Sequence, residues 1–183
     1  MRQRGVGVIV SVKTGRARLL AFLAALCVFG IDRFVKALMT GPLALQLNGP
    51  IRLLPIFDLR WTENYGVSLG MFTATSGETR LILIAVTGLI ALGVGVWMLR
   101  EKLLADLLGL ALVLGGALGN IYDRATYGFV IDYADLHFGE FRPFLIFNIA
   151  DAAITFGVLI LLARSLLSRE KPGSGDTSPT ENV

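Results

Sequence analysis

The sequence is short of the residues on which many enzyme active sites depend. It has one cysteine, Cys27, and one histidine, His137, among its 183 residues. A single cysteine excludes an internal disulfide, and these two residues offer neither a metal-binding cluster nor a well-supplied nucleophile–base pair. We expect Cys27 to be a packed helix residue and His137 to be a surface or interfacial residue. The candidate catalytic groups that remain are carboxylates.

Charge is scarce as well, since Asp, Glu, Lys and Arg make up 17% of the chain and hydrophobic residues make up 54%. Residues 81–99 contain no charged side chain and are long enough to cross a bilayer as a helix. Three more apolar segments, 19–39, 103–122 and 144–167, each contain an aspartate. We therefore predict an all-α polytopic membrane protein with four transmembrane helices, and nothing in the composition indicates nucleic-acid binding.

The predicted organisation has three parts. Residues 1–17 form a basic arm, residues 18–167 form the membrane domain with an outer loop at 40–80, and residues 168–183 have the composition of a disordered tail. Basic residues are more numerous on the side that holds both ends of the chain, which predicts that both termini face the cytoplasm.

Two short segments on the outer side have the pattern of β-strands. Residues 57–62 alternate apolar and polar side chains, and residues 127–133 are rich in aromatic and β-branched side chains. We expect these segments to form a small sheet at the outer membrane surface.

Polar side chains gather where the third predicted helix ends and the fourth begins. They are Asn120, Asp123, Arg124, Asp132, Asp135, Asn148 and Asp151. Ionisable groups at membrane depth are costly and usually face a cavity or a partner. Two adjacent carboxyl groups would share one proton and serve as acid and base against an amide bond. Asp123, Asp132 and Asp135 all remain candidate partners of Asp151, and the competing interpretation is a hydrogen-bonded cluster that fixes the helix ends.

Four stretches together resemble lipoprotein signal peptidase, the type II signal peptidase of bacteria (aspartic peptidase family A8). They are IDRFVKAL (31–38), ENYGVSLGMF (63–72), GGALGNIYDRATYGFVIDYAD (115–135) and FNIADAAITFGVLILL (147–162). The resemblance implies an inner-membrane endopeptidase without metal or organic cofactor. It would remove the signal peptide of diacylglyceryl-prolipoproteins before the lipidated cysteine, at the periplasmic face, and would be blocked by globomycin.

The resemblance also implies roles for single residues. Asp132 and Asp151 would be catalytic, and the predicted sheet would be the periplasmic cradle. Substrate-binding or dyad-supporting positions are Asn64, Gly66, Asn120, Asp123, Arg124 and Asn148, and structural positions are Asp32 and Lys36, which are also spaced for an ion pair on one helix face. Val67, Ser68 and Leu69 depart from the family pattern, so the resemblance does not define how the outer loop lines the substrate site.

Two other classes of function fit the intramembrane carboxylates. One is a small ion-coupled transporter, although the acidic residues cluster at one interface and residues 81–99 are free of charge. The other is a scaffold that binds acylated proteins without cleaving them. The expected partners are prolipoproteins and membrane lipids, and we expect a monomer.

Overall fold

The computed structural model describes residues 14–67, 72–73 and 77–169. Four long helices form the body of the protein: α1 (Thr14–Thr40), α3 (Gly77–Arg100), α4 (Leu104–Thr126) and α5 (Ile149–Arg169). A one-turn helix, α2 (Leu45–Asn48), follows α1. The strands are β1 (Ile51–Leu54), β2 (Phe57–Asn64), β3 (Gly66–Val67), β4 (Phe72–Thr73) and β5 (Val130–Leu136).

Three helices of the described chain are long and apolar enough to cross a membrane: α3, α4 and the part of α5 that ends at Leu167. The sequence predicted a fourth span in α1, which is not among them. Helix α1 has the necessary length, but it carries basic residues in its first turns and Asp32, Arg33 and Lys36 near its other end. The fourth span remains a prediction.

Helix α4 packs between α1 and α5, and its glycines make this close packing possible. A Cβ atom on Gly115 would lie 2.5 Å from the backbone oxygen of Ala25 in α1, and one on Gly116 would collide with the backbone oxygen of Ala150 in α5. Small residues at such positions let helix backbones approach in a membrane, where packing replaces the hydrophobic effect. The helices that carry the polar motifs are therefore held close together.

The strands β1, β2 and β5 form a three-stranded antiparallel sheet in the order β1-β2-β5. The two strands predicted from the sequence are confirmed as β2 and β5, with bounds shifted toward Asn64 and Leu136. Leu45, Leu59, Ile131 and Tyr133 form a buried cluster with Met39 at the end of α1. This cluster fixes the sheet against the helix end near the polar residues.

The ends of the chain differ slightly from the predicted boundaries. Helix α1 already begins at Thr14, inside the segment predicted as an arm, and α5 continues to Arg169, inside the segment predicted as a tail. The rest of both segments, 1–13 and 170–183, lies outside the described residues. Cys27 is exposed on α1, so its prediction as a packed residue was wrong.

Candidate active site

The side chains of Asp132 and Asp151 line the same cavity, where the sheet meets the start of α5. The cavity has a volume of about 280 Å³. The other lining residues are Asn64 of β2, Leu145, Ile146 and Phe147 before α5, and Ile154 and Thr155 within it. Of the three partners that the sequence offered for Asp151, Asp132 is the one that lines this cavity.

Asp132 is buried, with 2% of its surface exposed, and both of its carboxylate oxygens accept hydrogen bonds from amide groups. Asn64 Nδ2 donates to Oδ2 at 3.1 Å, and Asn148 Nδ2 donates to Oδ1 at 2.6 Å. The backbone N–H of Gly66 donates to Asn64 Oδ1 at 3.1 Å. Because this bond occupies the Asn64 oxygen, the NH₂ group of Asn64 is turned toward Asp132.

Asp151 lies in the first turn of α5 and exchanges hydrogen bonds with Asn148, the residue before the helix. The N–H of Asp151 donates to Asn148 Oδ1 at 2.9 Å, and the N–H of Asn148 donates to Asp151 Oδ2 at 3.2 Å. This reciprocal pair has the geometry of a capping box, which satisfies N–H groups that a helix start leaves unpaired. Asp151 thus caps α5 and also faces the cavity, so the two interpretations of this residue are compatible.

Asn120 and Asn148 connect the two aspartates in one hydrogen-bonded network. Asn120, near the end of α4, donates from Nδ2 to Asp151 Oδ1 at 2.7 Å. Asn148 is almost fully buried, and its Nδ2 also lies 3.3 Å from Asn120 Oδ1. Residues of β2, of α4 and of the segment just before α5 therefore hold the carboxyl groups from several sides, which leaves little freedom in their orientation.

A buried cluster of ions lies behind this network. Lys36 Nζ is 2.9 Å from Asp32 Oδ2 and 2.7 Å from Asp123 Oδ2, and all three side chains are fully buried. Arg33 also pairs with Asp123. Asp32 accepts a hydrogen bond from the N–H of Ala150, and Asp123 accepts one from the N–H of the residue before Asp132. The predicted Asp32–Lys36 ion pair is confirmed, and it belongs to a larger cluster that joins α1, α4, β5 and α5.

Arg33 is a member of this cluster that the sequence analysis missed. Asp123 pairs with Arg33 and Lys36 of α1, and among the described residues no ion pair joins it to its neighbour Arg124. Arg33 lies three residues before Lys36, a spacing that places both on one face of α1, so the helical period was the available signal. The guanidinium of Arg33 also lies 4.3 Å from the centre of the Tyr122 ring.

Arg124 lies beside the aspartates without a hydrogen bond to them. Its Nε is buried and has no hydrogen-bond partner among the described residues, and its charge interacts with those of Asp151, Asp132 and Asp123. Its backbone oxygen accepts a hydrogen bond from Arg80 Nε at 2.7 Å. The guanidinium therefore places a positive charge near the cavity, and it forms no ion pair in the described structure.

Asp135, the remaining candidate partner, does not take part in the cavity. It is fully buried and forms ion pairs with Arg142 at 3.0 Å and with Arg60 at 3.2 Å. Asp135 stands three positions after Asp132 on β5, so the two side chains point to opposite faces of the sheet.

His137 is buried rather than at the surface, which corrects the sequence prediction. Its Nε2 lies 3.3 Å from Asp58 Oδ2, without the geometry of a hydrogen bond. Among the described residues, no group of three or more His, Cys, Asp or Glu side chains is arranged to hold a metal ion. Ser68 and Leu69, two of the residues that depart from the family pattern, lie outside the described residues, and so does the side chain of Val67.

Burial, and after it the negative charge of Asp151, raises the pKa of Asp132 to about 7. The hydrogen bonds from Asn64 and Asn148 and the charge of Lys36 act in the opposite direction but do not cancel the effect. A carboxyl group with such a pKa is partly protonated at neutral pH, and the arrangement offers one proton donor beside one carboxylate.

Known proteins resemble this chain over most of its length. A family model described as Signal peptidase (SPase) II matches residues 24–167. The lipoprotein signal peptidase of Sphingopyxis alaskensis is 53% identical over 152 residues, which cover 83% of this chain and 88% of that protein. The lipoprotein signal peptidase of Rhizorhabdus wittichii is 50% identical over 166 residues, which cover 91% of this chain and 94% of that protein.

The fold also has a counterpart among solved structures. A structure described as a bacterial membrane enzyme aligns with a TM-score of 0.74 and covers 87% of this chain and 94% of that chain. Its sequence is 22% identical, so this likeness concerns the fold alone. The family model spans most of the chain and the two relatives share half of their residues with it. The chain therefore belongs to the signal peptidase II family.

Proposed function

We propose that this protein is an aspartic endopeptidase of the bacterial inner membrane that removes signal peptides from diacylglyceryl-modified prolipoproteins, before the lipidated cysteine. The observation that carries the proposal is the pair of aspartates, Asp132 and Asp151, in one cavity and one amide network. Family membership supplies the class of substrate. No cofactor is needed for the chemistry described below.

In the proposed reaction, the Asp151 carboxylate removes a proton from a water molecule whose oxygen attacks the scissile carbonyl carbon. Protonated Asp132 gives its proton to the carbonyl oxygen, which yields a neutral tetrahedral intermediate. When the C–N bond breaks, the leaving nitrogen takes the proton from Asp151 and one hydroxyl proton of the intermediate passes to Asp132, which restores the starting dyad. The products are a signal peptide with a new carboxylate and a lipidated cysteine with a new amino group.

The environment of each aspartate supports this division of roles. Asp151 accepts two hydrogen bonds and lies at the N-terminus of α5, where the helix dipole favours negative charge. Asp132 holds the shared proton because its pKa is raised to about 7. In this proposal Asn64, Asn120 and Asn148 orient the dyad, Gly66 orients Asn64, Asp123 supports β5, and Arg124 binds substrate.

The proposed placement in the membrane follows from the same residues. We infer that α1 is a fourth span, that the sheet is a cradle on the periplasmic side and that both termini are cytoplasmic. A cavity at the membrane boundary suits a substrate whose lipid stays in the bilayer while its peptide bond reaches the carboxylates. The enzyme would work as a monomer, since both aspartates and all their partners lie in one chain.

The test is to incubate the purified protein with a prolipoprotein before and after diacylglyceryl modification, and to identify the products by mass. We expect cleavage of the lipidated precursor alone, with the lipidated cysteine as the new N-terminus, and inhibition by globomycin. Binding of the lipidated precursor without any cleavage would refute the proposal and favour the scaffold.

A further inference from the structure

The ion cluster behind the dyad contains a lysine that the proposed chemistry does not use. Lys36 lies on α1, and no part of its side chain is exposed to solvent. Its ammonium group pairs with Asp32 and Asp123, which balances two buried carboxylates. Burying charges is costly, and a cluster that served only to join helices could be replaced by apolar packing.

Lys36 also contacts the amide network of the dyad. Its Nζ lies 3.4 Å from Asn120 Oδ1, in a position to donate a third hydrogen bond. An ammonium group has donors and no acceptor, so it can face only the oxygen of the Asn120 amide. Asn148 Nδ2 approaches the same oxygen at 3.3 Å. With its oxygen turned to these two donors, Asn120 must present its NH₂ group to Asp151.

The orientation of Asn120 matters because an asparagine amide can rotate by half a turn at little steric cost. In the reverse orientation, its oxygen would face the Asp151 carboxylate, and two acceptors would be in contact. In the observed orientation, the 2.7 Å hydrogen bond from Asn120 stabilises Asp151 as a carboxylate. The orientation of the Asn120 amide thus decides whether the Asp151 carboxylate, the proposed base, is stabilised or destabilised.

We propose that Lys36 is a positioning residue for the dyad, which acts through Asn120 by fixing the amide so that its NH₂ group donates to Asp151. The inference rests on the proposed function, because it assigns a role in the same reaction. Lys36 does not line the cavity, and although its charge also acts on Asp132, the proposed positioning passes through the side chain of Asn120. The family resemblance had assigned it a structural role alone.

Several charged groups surround this lysine, and their arrangement decides which variant is a fair control. Asp32 of α1 and Asp123 of α4 form ion pairs with Lys36, and the charge of Lys36 also acts on Asp132 of β5. Arg33 carries the same charge as Lys36 and shares its partner Asp123. No hydrogen bond joins Arg33 to Asn120 among the described residues. Removing Arg33 therefore changes the charge of the cluster equally without releasing the amide.

The experiment compares Lys36→Met with Arg33→Met in steady-state cleavage of a lipidated precursor. We expect kcat of Lys36→Met to fall by about 10- to 100-fold with little change in KM, as expected for a misplaced catalytic group. Arg33→Met should stay within about threefold of the wild type, although both variants lose thermal stability. In the double variant Lys36→Met/Asn120→Ala, kcat should equal that of Asn120→Ala alone, because the lysine then has nothing left to orient.

A second variant covers the case in which Lys36→Met does not fold. The charge-balanced pair Lys36→Met/Asp32→Asn removes one cation and one anion together, and the same loss of kcat is expected. Equal losses of kcat in the lysine and arginine variants would overturn the proposal, as would additive losses with Asn120→Ala. Wild-type kcat in either lysine variant would do the same. Failure of the wild-type protein itself to cleave would instead refute the proposed function.

Discussion

Asp132→Asn is expected to remove a pH-dependent loss of stability from the folded protein. The pKa of this carboxyl is raised to about 7 in the folded protein, from an ordinary value of 3.8, by burial and by Asp151. The folded state therefore binds the proton more tightly than the unfolded state. Stability from this group is fully present below the lower value and is lost as pH rises through the higher one.

The magnitude follows from the two pKa values. At about 1.4 kcal/mol per unit, the loss between about pH 5 and about pH 8 comes to roughly 2–3 kcal/mol. Asparagine cannot ionise, so the variant should not show this part of the pH dependence.

The assay is thermal unfolding of both proteins in the same detergent across this pH range. The wild type should lose several degrees of midpoint relative to Asp132→Asn as the pH rises. Comparison with the variant removes the contributions of groups outside the dyad, which are the same in both proteins. Parallel midpoints at every pH would show that Asp132 titrates normally, and would refute our account of the shared proton.

Three further predictions concern the supports of the site. Gly116→Ala should destabilise the protein by about 1–3 kcal/mol, because the new Cβ would collide with Ala150. The control Gly88→Ala, in open space on α3, should be neutral or slightly stabilising, and thermal midpoints of the two variants test the difference. Asn64→Ala removes a donor that lowers the pKa of Asp132, so the alkaline limb of the kcat–pH profile should move to higher pH, and an unmoved limb would contradict the contact. Asp135→Asn should lower the thermal midpoint but keep cleavage within a few-fold of the wild type, and loss of cleavage in a folded variant would reopen Asp135 as the partner of Asp151.

The helices and strands were predictable because their signals are local. The uncharged residues 81–99 form most of α3, and the alternation in 57–62 marks a strand, as the structure confirms. The fourth span remains a prediction, since Asp32, Arg33 and Lys36 lower the hydropathy of α1. These charges are tolerated because they neutralise Asp123 and one another inside the protein, which is a tertiary effect.

The partner of Asp151 was not predictable from spacing. Asp123, Asp132 and Asp135 all lie in the polar stretch that precedes it, and the family resemblance alone favoured Asp132. In the structure these aspartates have different surroundings: Asp123 is paired with cations of α1, and Asp135 points to the other face of β5. The register of a strand and the partners of a buried charge depend on contacts that are distant in sequence.

The capping role of Asp151 also explains why a long apolar segment begins with an acid. Asn148 and Asp151 have the spacing of a capping box, so this half of the role was readable from the sequence. The other half, the hydrogen bond from Asn120, joins two helices and required the fold.

The most direct test of the central claim is cleavage of a lipidated prolipoprotein by Asp132→Asn and by Asp151→Asn, each purified from membranes and checked for folding by its thermal midpoint. If the two carboxyl groups act as one acid–base pair, both folded variants should lose cleavage by several orders of magnitude while they still bind the substrate. Turnover near the wild-type rate by either folded variant would contradict the account.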